Sequence, residues 1–191
     1  MRELFTHSLT QSFKIHCIHS FYHYYMQITI KPFEVQYQQQ VEDMVLSIQN
    51  GEFLLGITAQ DQPDLPNIKA FYQDRGGQMW VAVDENNEVK GCTAYEKLDE
   101  EHGALRKMFM KPEMRGRKDI KLAQELYDTF LDFAKQNGSK YLWLDTPHAA
   151  QAAHRFYERN GWDIVPVEDL PKSYKIPKID FSRIKFYMAK V

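Results

Sequence analysis

Along residues 26–191, apolar positions recur now at every second residue, now at every third or fourth, as expected of strands alternating with helices. QITIKPF (27–33) predicts a short first strand stopped by Pro32. Tyr37, Val41, Met44, Val45 and Ile48 then share one face of a predicted helix, which Gly51 closes. A stretch rich in Asp and Pro, AQDQPDLPN, leads to a short helix around Ile68 to Gln73, ended by Gly76-Gly77. Three strand-like runs follow closely: QMWVAVD (78–84), EVKGCTAYEKL (88–98) and ALRKMFMK (104–111). The turn formers Asn86-Asn87 and the polar tip DEEHG join them into an antiparallel meander.

The pattern changes after Pro112. Leu122, Ala123, Leu126, Tyr127, Phe130, Phe133 and Ala134 form a wide apolar stripe on a predicted helix that stops at Asn137-Gly138. YLWLD (141–145) is a near-continuous apolar run, the mark of a strand covered on both faces. Ala149, Ala152, Ala153, Phe156 and Tyr157 define a second helix ending at Asn160-Gly161, and WDIVPV and RIKFYMAKV supply two last strands. The order β-α-α-β-β-β-α-β-α-β-β predicts an α/β chain with a mixed sheet and helices on its faces.

Composition narrows the function. At 191 residues the chain suits one domain. Lys and Arg total 24 against 26 Asp and Glu, a balance that gives no general affinity for nucleic acid or an anionic membrane. The basic C-terminal positions, Lys172 to Lys190, alternate as an ordinary half-solvated strand does rather than as a nucleic-acid surface. No run approaches the roughly 20 apolar residues of a membrane span. The two cysteines, Cys17 and Cys92, make no disulfide framework, so a reducing, cytoplasmic setting is expected, with a small molecule as partner and a monomer or homodimer as the assembly.

Residues 1–25 break with this pattern, holding four of the seven histidines and no Asp. His16, His19 and His23 would share a helix face beside Cys17, but no carboxylate shell accompanies them, and no metal site is expected. The segment is expected to be an extension outside a core of 26–191, or translation begun upstream of a natural start at Met26.

Residues 108–126, MFMKPEMRGRKDIKLAQEL, read as strand, proline stop, Arg-Gly turn, a burst of charge and an amphipathic helix, an arrangement suited to holding a phosphate at a helix N-terminus. With YLWLDT (141–146) and AHRFYERNGW (153–162) in this order, the chain resembles the GNAT superfamily of N-acetyltransferases over about residues 26–191. The resemblance implies transfer of acetyl from acetyl-CoA to an amine by direct attack, without a metal or a covalent enzyme intermediate. It implies that the cofactor lies where the fourth and fifth strands splay apart. The backbone of Arg115, Gly116, Arg117, Lys118, Asp119 and Ile120 would then cradle the pyrophosphate, and the main chain of Phe109 and Met110 would pair with the pantetheine amides.

The chain also departs from the family pattern. Arg117-Lys118-Asp119 stand where a second glycine is common, and the two cations are expected to replace close backbone approach with Coulomb attraction. The alternative is a solvated charged turn. An asparagine and a glutamate typical of the family appear as Ala150 and Ala104. The base is therefore open among Asp145, His154, His102, Glu101 and water. Tyr157 is expected to hydrogen-bond or protonate the departing thiolate, its alternative being a core aromatic. The acceptor, a primary amine of small-molecule or amino-acid type, is chosen by the loops at 54–77 and 166–182, where Tyr72 and Tyr174, with Trp80, are candidate lining residues. The rival function is a catalytically weak CoA-binding or regulatory module.

Overall fold

The structure, a computed structural model, describes residues 27–176 and 184–191. The N-terminal histidines and the end of the 166–182 loop lie outside the described residues. Seven strands form one sheet: β1 (Thr29–Pro32), β2 (Gln78–Val83), β3 (Val89–Lys97), β4 (His102–Met110), β5 (Tyr141–Pro147), β6 (Asp163–Val165) and β7 (Ile184–Lys190). They lie in the order β1-β2-β3-β4-β5-β7-β6. Only β4 and β5 run parallel; all other neighbours are antiparallel.

Helices α1 (Gln38–Gly51) and α2 (Ile68–Phe71) cover one face, and α3 (Leu122–Gln136) and α4 (Gln151–Arg159) the other. The α1 stripe is buried as its spacing predicts, against Met79, Val81, Cys92 and Ala94 of the meander. On the opposite face, Leu126, Tyr127 and Phe130 of α3 pack over Trp80, Tyr95 and Leu105 or beside Ala82. Trp80 is thus core, its ring edge-on to Phe133 at 5.1 Å, and does not line an acceptor loop.

The α4 helix differs in phase from its alanine stripe. Ala149 and Ala152 are exposed, and the buried positions are Ala150, His154 and Tyr157. The reason is polar satisfaction: both ring nitrogens of His154 find partners inside, so a histidine occupies a slot that apolarity alone assigns elsewhere.

Candidate active site

β4 and β5 are paired only at His102↔Tyr141, Gly103↔Leu142 and Ala104↔Trp143. Past these residues β4 continues along β3 and β5 along β7, but the two strands no longer bond each other. Each therefore offers an unpaired backbone edge to a gap in the sheet, the kind of edge that accepts an extended ligand as an added strand.

The β4 edge carries a bulge. Arg106 pairs with Ala94 and Phe109 with Cys92, so Lys107 and Met108 together stand opposite Thr93. Lys107 has φ 50°, a left-handed conformation that costs a non-glycine residue on the order of 1 kcal/mol. Its carbonyl accepts the Cys92 thiol at 3.0 Å, and burial pushes that thiol up to about 12, so it stays a protonated donor. The extra residue also resets side-chain alternation. Leu105 and Met108 both pack toward α3 and α4, which leaves Arg106 and Lys107, consecutive in sequence, both facing the α1 and α2 side.

Each of these cations sits in its own network. The Arg106 guanidinium donates to Glu96 at 2.9 Å, Asp145 at 2.6 Å, the Tyr174 hydroxyl at 2.8 Å and the Lys175 carbonyl at 3.3 Å, with its Cζ 4.3 Å from the Tyr174 ring centroid. Tyr174 donates to the same Oδ1 of Asp145 at 2.5 Å; burial, then the Asp145 charge, holds its phenol well above the ordinary range. Lys107 Nζ lies 3.2 Å from Asp64 and donates to Gln62 at 2.7 Å. Asp64 also accepts from Tyr72 at 2.5 Å, and Gln62 exchanges two bonds with Gln49, at 2.9 and 3.0 Å. Tyr72 is raised by burial first and Asp64 second, so it too remains a donor.

Across the gap, Tyr157 of α4 is 7% exposed, and its hydroxyl has the Met108 sulfur, a weak acceptor, 3.9 Å away. Burial, and after it the Asp145 charge, raises this phenol above its ordinary range. It is a protonated donor beside the bulge.

A family model for the acetyltransferase (GNAT) family matches residues 42–162. The chain belongs to the GNAT acetyltransferase family. A GNAT acetyltransferase from Staphylococcus aureus Mu50 superposes with a TM-score of 0.80 at 30% identity, covering 86% of this chain and 99% of that one. An N-acetylaspartate synthetase of Danio rerio is 30% identical over 100 residues, 52% of this chain; the match spans about a third of that protein, 34% of its length. A GNAT acetyltransferase from Elizabethkingia anophelis, with acetyl-CoA bound, shares the fold at 17% identity with a TM-score of 0.57, covering 86% of this chain and 98% of that one.

Within this GNAT fold, the loop expected to take the pyrophosphate runs from Arg115 to the opening of α3 at Leu122, with Gly116 in the left-handed region at φ 67°. No side chain caps that helix start. The arginines of the loop are engaged within the protein. Arg115 forks onto Glu52 at 2.6 and 2.9 Å and onto the Met110 carbonyl at 2.8 and 3.0 Å, while Arg117 grips Asp119 at 2.5 and 3.1 Å. Lys118 is exposed and forms no ion pair among the described residues, and Ile120 is half-buried against Met114 and Leu122. Phe109 is half-buried against the α1 side, and Met110 packs with Leu126.

The base candidates separate. Asp145 lies at the gap, two residues past the last β4–β5 pair. His154 contacts the Pro147 carbonyl through Nε2 at 3.1 Å and the Tyr187 hydroxyl through Nδ1 at 2.8 Å. A carbonyl only accepts, so Nε2 carries a proton; in a neutral ring Nδ1 then accepts a hydrogen bond from the Tyr187 hydroxyl, which also lies 3.3 Å from Glu158. Burial, then Lys185, lowers the His154 pKa, which agrees with a neutral ring. His102 and Glu101 sit at the closed end of the strand pair, bonded to Asp99 and Lys140; five residues of strand, about 16 Å, separate His102 from the bulge. The sequence reading missed Arg106, Lys107, Glu96 and Asp64. Their one signal was two adjacent cations inside an otherwise apolar strand, ALRKMFMK, which breaks the alternation a regular strand would keep.

Proposed function

We propose that this protein transfers acetyl from acetyl-CoA to a small-molecule primary amine, with the thioester in the gap between β4 and β5. The observation that carries the reading is that gap: two parallel strands that separate after Ala104 and Trp143, with a bulge on one lip and an uncapped helix start beyond it. The pantetheine adds to the free edge at Phe109 and Met110, and the pyrophosphate rests on backbone N–H groups from Arg115 to Ile120 and on the positive end of α3. Backbone donors at the bulge stabilise the thioester oxygen as it turns anionic, each contributing about 3 kcal/mol when well placed.

The amine approaches from the α1 and α2 side. One proton leaves the ammonium first and frees the nitrogen lone pair; as that nitrogen bonds to the acetyl carbon the carbon–sulfur bond breaks, and the second proton lost from nitrogen goes to the departing thiolate. Asp145, held by Arg106 and Tyr174, orients the ammonium, and water takes the first proton. Tyr157 hydrogen-bonds the departing thiolate from the α4 side, and His154 fixes α4 to β5 and β7. The Danio rerio relative, whose name specifies an amino-acid acceptor, favours an amino acid over a protein tail.

A second reading, a CoA-binding module with little catalysis, is favoured by the occupied arginines of the phosphate loop. Calorimetric titration with acetyl-CoA, followed by thiol release across a panel of amines, separates the two. Saturable binding with amine-dependent release and a detectable amide is expected. Binding that no amine converts into release leaves only the module.

A further inference from the structure

Lys107 differs from Arg106 in how replaceable its contacts are. Arg106 is locked by two carboxylates, a phenol and a carbonyl, of which the Glu96 carboxylate and the Tyr174 phenol are buried. Lys107 has one carboxylate at 3.2 Å and one amide, and both partners keep other bonds if the lysine turns away. Asp64 retains the Tyr72 hydroxyl, and Gln62 retains its double link to Gln49. The ammonium stem is flexible, its donors rotate freely, and its side chain is 13% exposed at the lip of the gap. A left-handed backbone at this same residue keeps the lysine on the acceptor face, where regular alternation would send it to the other side.

The charges around it alternate. Arg106 and Lys107 stand among Glu96, Asp145 and Asp64, two cations against three carboxylates. A purely cationic acceptor would meet both cations beside the reacting carbon, whereas a zwitterion meets a partner for each of its charges. We propose that Lys107 reads the carboxylate of an α-amino acid acceptor, exchanging Asp64 for the substrate while Asp145 takes the substrate ammonium. This inference rests on the N-acetyltransferase reading above.

The test compares kcat/KM for common α-amino acids, their α-carboxamides and putrescine, in the full-length protein and in Lys107→Gln and Lys107→Arg. The best amino acid is expected to exceed its own carboxamide by about 30-fold or more, the size of a charge-assisted hydrogen bond made to one and not the other. Lys107→Gln is expected to collapse that ratio toward one, chiefly through KM, and Lys107→Arg to restore most of it. A loss of stability would lower both rates together and leave the ratio standing. Carboxamides or putrescine used as well as the acids by the unmodified protein, or an unchanged ratio in Lys107→Gln, overturns the assignment of Lys107 while leaving the transferase intact. Acetyl-CoA bound but transferred to none of these amines overturns both.

Discussion

On the α3 and α4 side of the gap, the proposed donor half of the site consists mainly of backbone: a free strand edge, a bulge, one left-handed glycine and a helix start without a cap. Its ionic groups lie at the surface, as in the pairs of Arg117 with Asp119 and of Arg115 with Glu52. On the α1 and α2 side, the proposed acceptor half consists of side chains from β3, β4, β5 and two loops, joined in largely buried ion pairs around Arg106 and Lys107. A coenzyme is the same in every member of a family and can be held by main chain, whose geometry survives sequence change. An acceptor must be discriminated, and discrimination requires particular side chains.

The sharpest break between the halves is in stability. Arg106→Met leaves the buried Glu96 and the half-buried Asp145 without their cation, a change expected to cost about 3–5 kcal/mol. For a domain of this length, that lowers the thermal midpoint by roughly 10 °C. Arg117→Met, in the exposed loop, is expected to leave the midpoint where it was. Differential scanning calorimetry of the two proteins decides it: equal midpoints would mean that the acceptor cluster is as solvated as the loop and that the contrast has no energetic content.

Tyr157 joins the two halves, since its hydroxyl sits beside Met108 on the donor side while its pKa responds to Asp145 on the other. Tyr157→Phe retains the ring contacts with Phe156, Trp162 and Tyr187 and removes only the donor. A bond that strengthens as charge reaches sulfur acts on the transition state, so kcat is expected to fall about 10²-fold with little change in acetyl-CoA affinity. Turnover at the unmodified rate with a good acceptor would return Tyr157 to the role of a core aromatic.

The secondary structure of the proposed donor half was legible in the sequence because it follows from local signals. MFMKPEMRG and the apolar stripe of Leu122 to Ala134 announce strand, stop and helix through local rules alone. Arg106 and Lys107 were in plain view but carried no meaning, because their shared face depends on a bulge opposite Thr93, a non-local register shift. Asp64 and Tyr72, and Asp145 and Tyr174, meet only through the tertiary fold. His154 is an open base candidate in the sequence, and the Tyr187 hydroxyl that helps satisfy its ring comes from a strand 33 residues away.

The smallest expected effect concerns the phosphate loop, where the charges of Arg117 and Lys118 were expected to replace a glycine. The ion pair changes how much each substitution should do. Arg117 is already neutralised by Asp119, so its field at the helix start is largely cancelled, and Lys118 remains the exposed cation that a phosphate can recruit at once. Lys118→Ala is therefore expected to weaken CoA a few-fold, and the double change Arg117→Ala with Lys118→Ala by about tenfold, because Asp119 is then left as a bare anion beside the phosphates. Asp119→Asn releases Arg117 and should tighten CoA instead. Pantetheine, which lacks the phosphates, should bind all four proteins alike. Raising salt from about 0.05 to 0.5 M shortens the Debye length to a few ångströms and should erase most of the differences. Titrations of CoA and pantetheine at the two salt concentrations test this directly. If Asp119→Asn binds CoA no better than the unmodified loop, Arg117 gains nothing by its release, and the loop holds the pyrophosphate through its backbone alone.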